Sequence, residues 1–242
     1  MQESLNRVHA DLYEALGDAV RVLETNGLAY SVMCGSLLGA VRHQAIIPWD
    51  DDVDLVLPRE SYDQFELMYP SQCGLGFTLD RSETWVPRVR KVGGDAFVDL
   101  FVLDPLPDGK LARTWKLFRL RVLQGMLKEQ PDYRRFSPVK RLLLWGTHAL
   151  GVPFSRESKL RAYRRVARSG KAGRAVHMSD GAFNLLPMAF APEIFEATVR
   201  VPFGPLTVRV PRDAATVLAR LYGPDYMTPP PESERRPLHL DR

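Results

Sequence analysis

Four aspartates fall within five positions, Asp50, Asp51, Asp52 and Asp54, inside the stretch GSLLGAVRHQAIIPWDDDVDLVLP (residues 35–58). Like charges at such spacing repel, and a cation held among them makes the crowding favourable. In an extended strand, residues two apart project to the same side. Asp52 and Asp54 therefore present two carboxylates to one face while Val53 and Leu55 enter the core. Asp50 is in phase if the extension begins that early; Asp51 is not. Two carboxylates converging from one strand suit Mg²⁺, with Mn²⁺ as the alternative, because a small hard cation takes carboxylate, phosphate and water oxygens. Such an ion bridges a donor's phosphates and neutralises charge as a phosphorus–oxygen bond breaks.

An isolated DDDVD also reads as a solvated acidic turn before an edge strand. Two further features favour the chemical reading. Gly35-Ser36 stands at the end of one strand and the start of a helix, where free backbone N–H groups hold phosphates. Asp99 sits among Phe97, Val98, Leu100 and Phe101, and a carboxylate in so apolar a strand is costly to bury without a partner. Together they supply a phosphate cradle, a DxD pair and a third carboxylate on a neighbouring strand.

The elements that must position these groups follow from periodicity. Leu5, Val8, Leu12, Ala15, Ala19 and Leu23 recur at helical spacing over residues 4–26, and Asn26-Gly27 is a stop. Strands are expected over 28–34, 52–58, 75–80, 85–92 and 95–103, with a helix over 59–69. DPLPDGK (104–110) is a turn-rich boundary, after which Leu111, Trp115, Phe118, Val122 and Met126 form one face of a helix. ATVRVPFGPLTVRVP reads as a hairpin around Gly204-Pro205, followed by a helix over 212–222 and an extended tail.

With 45% hydrophobic and 26% charged residues, the 242-residue chain is of ordinary globular composition. It has no run of about 18 apolar residues of the kind that spans a membrane, and its acid-bearing N-terminus does not resemble a secretory signal. Cys34 and Cys73 are too few for a disulfide framework and read as small hydrophobes in a reducing cytoplasm. The net charge of +4 hides an asymmetry: residues 110–174 hold 18 Lys and Arg against three acids, a local +15. A solvated helical face, an anionic membrane surface and a phosphate-rich acceptor are the three readings of that segment. Basic charge without a recognisable module gives no specific nucleic-acid partner.

The first motif closely resembles the signature of the LicD family, which includes fukutin and fukutin-related protein. That family belongs to the DNA polymerase beta-like nucleotidyltransferase superfamily. The resemblance extends to FVDLFVLDPLP (97–107), PEIFE, VPFG and RLYGPDYMTPPP. Gln44 and Ala45 stand where the family pattern has a basic residue and a glycine. The resemblance implies an α+β fold: a nucleotidyltransferase-like mixed β-sheet core flanked by helices, with a basic helical insertion and a C-terminal β-hairpin plus helix. The corresponding domains are residues 1–108, 109–178 and 179–242. It also implies an enzyme that moves a phospho-alcohol, such as phosphocholine, ribitol phosphate or glycerol phosphate, from a CDP-activated donor to a glycan or lipid-linked glycan hydroxyl.

Carried over by position, Asp52, Asp54 and Asp99 hold Mg²⁺ and Asp50 joins the same acidic centre. Asp99 either completes the metal site or takes the acceptor's proton. Gly35 and Ser36 contact donor phosphates, and Arg42 neutralises the pyrophosphate. His43 reads either as an acid or base or as an orienting hydrogen-bond donor, and is not assigned a catalytic role. Trp49 and Trp85 are candidates for stacking on a base or caging choline, with packing in the core or a loop the commoner role for a tryptophan. The expected location is cytoplasmic, with peripheral attachment to the inner face of the plasma membrane. Transfer of the nucleotide itself to a small molecule, and a non-enzymatic glycan-binding scaffold, are the competing functions.

Overall fold

The computed structural model describes residues 2–82, 84–128, 138–171 and 173–237. Part of the basic segment (129–137 and 172) and the end of the expected tail (238–242) lie outside the described residues. The chain divides into two compact units. One comprises Met1–Asp80, Pro87–Val102 and Pro192–Arg242; the other comprises Arg81–Val86 and Leu103–Ala191. The longer stretch of the second unit begins at Leu103, inside a strand, and takes in residues 179–191, which the sequence groups with the C-terminal part.

The first unit opens with α1 (Gln2–Thr25), whose Leu12, Ala15, Leu16, Ala19, Val22 and Leu23 are completely buried. Their three- and four-residue spacing puts one apolar stripe against the sheet. The helix packs on β4 (Arg88–Lys91), on α3 (Arg59–Gln72) and on β8 (Leu206–Pro211). Strand β1 is only Ser31–Val32, much shorter than the apolar run suggests, and it leads into α2 (Cys34–Arg42). It pairs antiparallel with β2 (Val53–Pro58), which in turn neighbours β5 (Phe97–Leu106). The sheet order is β1-β2-β5-β4-β3, with β3 being Phe77–Asp80, and the sheet mixes parallel and antiparallel strands. Strand β5 is buried along nearly its whole length, as a central strand covered on both faces must be.

The C-terminal part of this unit contains the short α7 (Glu193–Glu196), the hairpin of β7 (Thr198–Phe203) and β8, and α8 (Ala214–Tyr222). Gly204 turns the hairpin at φ 57°, and a Cβ there would lie 2.4 Å from the Tyr13 hydroxyl, so only glycine fits. Glu24 of α1 binds Arg209 and Arg200 of the hairpin. The Arg209 hydrogen bond is the main reason its carboxyl falls to about 2.

The second unit contains α4 (Lys110–Leu127), α5 (Pro138–Gly151), α6 (Arg156–Ala167) and β6 (Ala175–Met178). The last of these pairs antiparallel with residues 103–106 of β5 and is absent from the sequence reading. Leu106, Leu117, Leu120, Leu127, Leu160, Tyr163, Val166 and Leu186 form its core. Trp85 packs against that core and donates to the Asp180 carbonyl, which makes it a structural residue of this unit. The Lys116 ammonium is buried and donates to three main-chain oxygens, those of Pro105, Ala167 and Ser169.

His177, completely buried, faces Asp104 across the β5–β6 pair and meets the Leu186 oxygen through Nδ1 at 2.8 Å. Burial is the main cause that lowers its imidazole to about 4. An unfolded chain binds a proton here below the ordinary value of 6.5, whereas the folded chain does so only near 4. Stability is therefore full above pH 6.5 and is lost as pH falls toward 4, by about 3 kcal/mol. We expect the urea midpoint to fall between pH 7 and 4.5, and to fall distinctly less in His177→Asn. Equal slopes would remove His177 from this account.

Candidate active site

Residues 50–52 precede β2 and lie outside its paired ladder, so strand alternation does not fix where their side chains go. As a result Asp51 joins the cluster, contrary to the strand-phase expectation. The carboxylates of Asp50, Asp51 and Asp52 bring oxygens within 4.8 Å of one another. Asp51 is buried, and its N–H donates to the Asp50 carboxylate. Burial first, then the charges of Asp52 and Asp51, raise the Asp50 carboxyl to about 7.

Asp54 lies one step deeper, within β2, and is 7% exposed. Its carboxyl is driven well up by burial and then by the charges of Asp52, Asp99 and Asp50. The Gly35 N–H donates to it, and the Asp54 N–H donates to Ser36 Oγ at 2.8 Å. The start of α2 is thus clamped to the acidic strand through Gly35 and Ser36, the two residues expected to cradle phosphate. Asp50 closes the same junction from the other side: a Cβ on Gly35 would sit 2.6 Å from Asp50 Oδ2. Cys34, the first residue of α2, takes φ 50°, a left-handed conformation that costs about 1–3 kcal/mol outside glycine.

The buried Cys34 thiol registers the whole cluster. Burial raises it most, and the charges of Asp54, Asp52, Asp99 and Asp50 add to the rise in that order. All four acids singled out in the sequence therefore act on one point. Cys73, in contrast, is only partly buried.

Asp99 enters this site already paired. It lies directly opposite Arg88 in the β4–β5 register, and the guanidinium meets it through Nε at 2.6 Å and Nη2 at 3.4 Å. Arg88 also lies 3.9 Å from the centroid of the Phe97 ring. Sequence reasoning missed Arg88, because cross-strand register places it. The pair is mostly buried, at 16% and 10% side-chain exposure. Arg88→Met leaves a buried carboxylate beside other carboxylates and is expected to cost about 3 kcal/mol in urea denaturation. Arg88→Met/Asp99→Leu should cost less than the single change; if it costs more, the pair is not the source of the loss.

Arg42 ends α2. Its Nε donates to His43 Nε2 at 3.0 Å, its Nη1 donates to the Tyr226 oxygen at 3.3 Å, and its Cζ lies 5.9 Å from the Trp49 ring centroid. His43 meets Trp49 edge-on and is lowered by burial and by Arg42. Gln44 takes φ 53°, so the departure from the family pattern falls at a strained position. Tyr222, the last residue of α8, is 48% exposed, yet its hydroxyl is raised by burial and then by Cys34, Asp54, Asp50 and Asp52. Hence the charges of the acidic cluster act on the end of α8, in the C-terminal segment that carried no chemistry in the sequence.

The donor set fits a divalent hard cation. Three carboxylates meet, a fourth is buried behind them, and the strongest influences on Asp50 and Asp54 are burial and other carboxylates. A cation among them removes the repulsion that otherwise forces protons onto buried acids.

Residues 27–100 match the family model described as LicD/FKTN/FKRP, nucleotidyltransferase domain. The chain is 23% identical over 236 residues to the lipopolysaccharide cholinephosphotransferase LicD of Haemophilus influenzae, covering 88% of this chain and 87% of that protein. It is 40% identical over 155 residues to the human ribitol 5-phosphate transferase FKRP, covering 53% of this chain and 30% of that one. An uncharacterized protein of Rickettsia typhi is 34% identical over 91 residues, covering 38% of this chain; this match and one to a Rickettsia prowazekii protein cover 28% and 26% of the relatives' own lengths. The matched domain holds α2, β2 and the start of β5, the elements that carry the acidic cluster. In that domain the chain is similar to the LicD family.

Proposed function

We propose that this chain transfers a phospho-alcohol from a CDP-activated donor to a hydroxyl of a cell-surface glycan. The observation that carries the reading is the convergence of Asp50, Asp51, Asp52 and Asp54 at the start of α2. Relatives named as a cholinephosphotransferase and a ribitol 5-phosphate transferase support it. Asp50, Asp51 and Asp52, with Asp54 beside them, hold Mg²⁺ or Mn²⁺, which when bound offsets the charge of the donor phosphates. The acceptor oxygen bonds to the phosphorus that bears the alcohol, and the bond from that phosphorus to the bridging oxygen breaks. CMP leaves with the electron pair, and the hydroxyl proton passes to a carboxylate of the cluster. Asp99, its oxygens engaged by Arg88, fixes the charge and shape of the site. Gly35 and Ser36 lock α2 to β2, so that the helix N-terminus faces the donor phosphates. Catalysis of this kind rests on positioning and charge.

Purified protein given CDP-choline, CDP-ribitol or CDP-glycerol, a glycan acceptor and Mg²⁺ should release CMP with one donor, and none with chelator. Pyrophosphate release from a nucleoside triphosphate would favour nucleotide transfer instead. No turnover with any donor would favour the glycan-binding scaffold.

For the acceptor side we propose an anionic membrane at the cytoplasmic face. On α4, Leu111, Trp115 and Phe118 are exposed beside basic residues; on α5, Leu142, Leu143 and Trp145 are exposed as well. Aromatic and aliphatic groups among Lys and Arg suit the bilayer interface. No described helix is long and apolar enough to cross a membrane. The protein is expected to float with phosphatidylserine vesicles and not with neutral ones; Trp115→Ala/Trp145→Ala should weaken that binding several-fold. Flotation independent of vesicle charge would sink this placement.

A further inference from the structure

The C-terminal segment brings a second arginine to Trp49. Arg235 lies with its Cζ 5.1 Å from the Trp49 ring centroid, and Arg42 reaches the same ring at 5.9 Å. Both are partly buried. The charge of Arg235 acts on Arg42, which burial and then this like charge shift downward. Arg235 uses Nε on the Pro230 oxygen, and Arg42 uses Nε and Nη1 on His43 and Tyr226, all neutral partners. Among the described residues, no carboxylate pairs with either guanidinium.

Two guanidiniums held near one indole repel each other, and partial burial weakens the solvent screening that would hide this. Cation–π attraction to Trp49 offsets part of the cost. An anion bridging both offsets more, because each guanidinium keeps N–H donors free in the fork geometry that suits phosphate oxygens. Trp49 directly precedes Asp50, so one short stretch of chain carries both this ring and the acidic centre.

We propose that Arg42 and Arg235, gathered at Trp49, form a phosphate-binding subsite that the C-terminal segment completes. Calling the anion a phosphate of the nucleotide donor rests on the function proposed above; the subsite itself does not. Arg235 lies 193 positions beyond Arg42, so the donor site closes only when residues 224–237 are in place against the end of α2.

The test is isothermal titration of the full chain with CDP, cytidine and inorganic pyrophosphate, with and without Mg²⁺. Arg235→Gln should weaken CDP and pyrophosphate binding about tenfold or more and leave cytidine binding unchanged. Arg42→Gln should do the same, and Arg235→Lys should recover part of the loss. Melting temperatures near wild type establish that the variants fold. Wild-type binding of CDP that Arg235→Gln and Arg42→Gln leave within twofold would overturn the subsite while sparing the donor reading. Arginine-dependent binding of pyrophosphate without any binding of CDP would keep the subsite and overturn the donor reading. Absence of binding to both would overturn the two together.

Discussion

Asp52→Asn and Asp54→Asn should each lower CMP release by about 10³-fold or more, equivalent to about 4 kcal/mol of lost transition-state stabilisation, while both variants fold. An amide keeps the shape of the side chain but removes the charge that a divalent ion needs. For Asp54 the effect on stability runs in the opposite direction. Its carboxyl is held well above the ordinary range by burial and by neighbouring acids. The folded chain thus keeps a proton that the unfolded chain releases, and stability is lost as pH rises above the ordinary carboxylate value. Asparagine never ionises and can still accept the Gly35 N–H. In chelator at pH 8, Asp54→Asn should melt higher than wild type, by about 2–4 °C for each kcal/mol regained. A variant that keeps a tenth of the activity, or melts lower in chelator, would refute the assignment of Asp54 to a functional acidic centre.

The second large effect comes from one methyl group. Alanine at position 35 would normally help a helix, by about 0.5–1 kcal/mol relative to glycine. Here its Cβ would approach Asp50 Oδ2 to 2.6 Å, closer than side chains pack. The short Asp50 side chain has little freedom, so its carboxylate must leave the position it shares with Asp51 and Asp52. Gly35→Ala is expected to lose about 10²-fold in turnover and to need more Mg²⁺ for half-maximal activation, with a melting temperature close to wild type. Activity within threefold of wild type would show that the junction of α2 and Asp50 can open without consequence.

Much of this site could be read along the chain because its parts are local. The helical spacing of α1, the Gly204-Pro205 hairpin and the crowded aspartates are short-range patterns, and each corresponds to an element or cluster in the fold. What escaped depends on separation or on irregular backbone. Asp51 was set aside by a strand rule that does not govern residues 50–52, which lie outside β2. Arg88 meets Asp99 through cross-strand register, which periodicity within either strand does not encode. Strand β6 is four residues long and gains its identity from pairing with β5. Tyr222 and Arg235 sit in a turn- and proline-rich stretch whose chemistry appears only when it meets elements far upstream. Trp49 and Trp85 looked equivalent in the sequence, yet one lies beside arginines and the other donates into a core.

The first unit is built from three separate stretches, and its last, Pro192–Arg242, supplies the hairpin that α1 and β1 pack against. Ser31 donates to the oxygen of Arg209, and Arg209 binds Glu24, so ties formed by the first thirty-odd residues wait for partners nearly 180 positions later. During synthesis, α1 and β1 emerge with part of their apolar surface lacking that cover until the hairpin follows. Such delayed closure favours transient chaperone protection, since the hairpin must be made before the unit that carries the acidic cluster can lock.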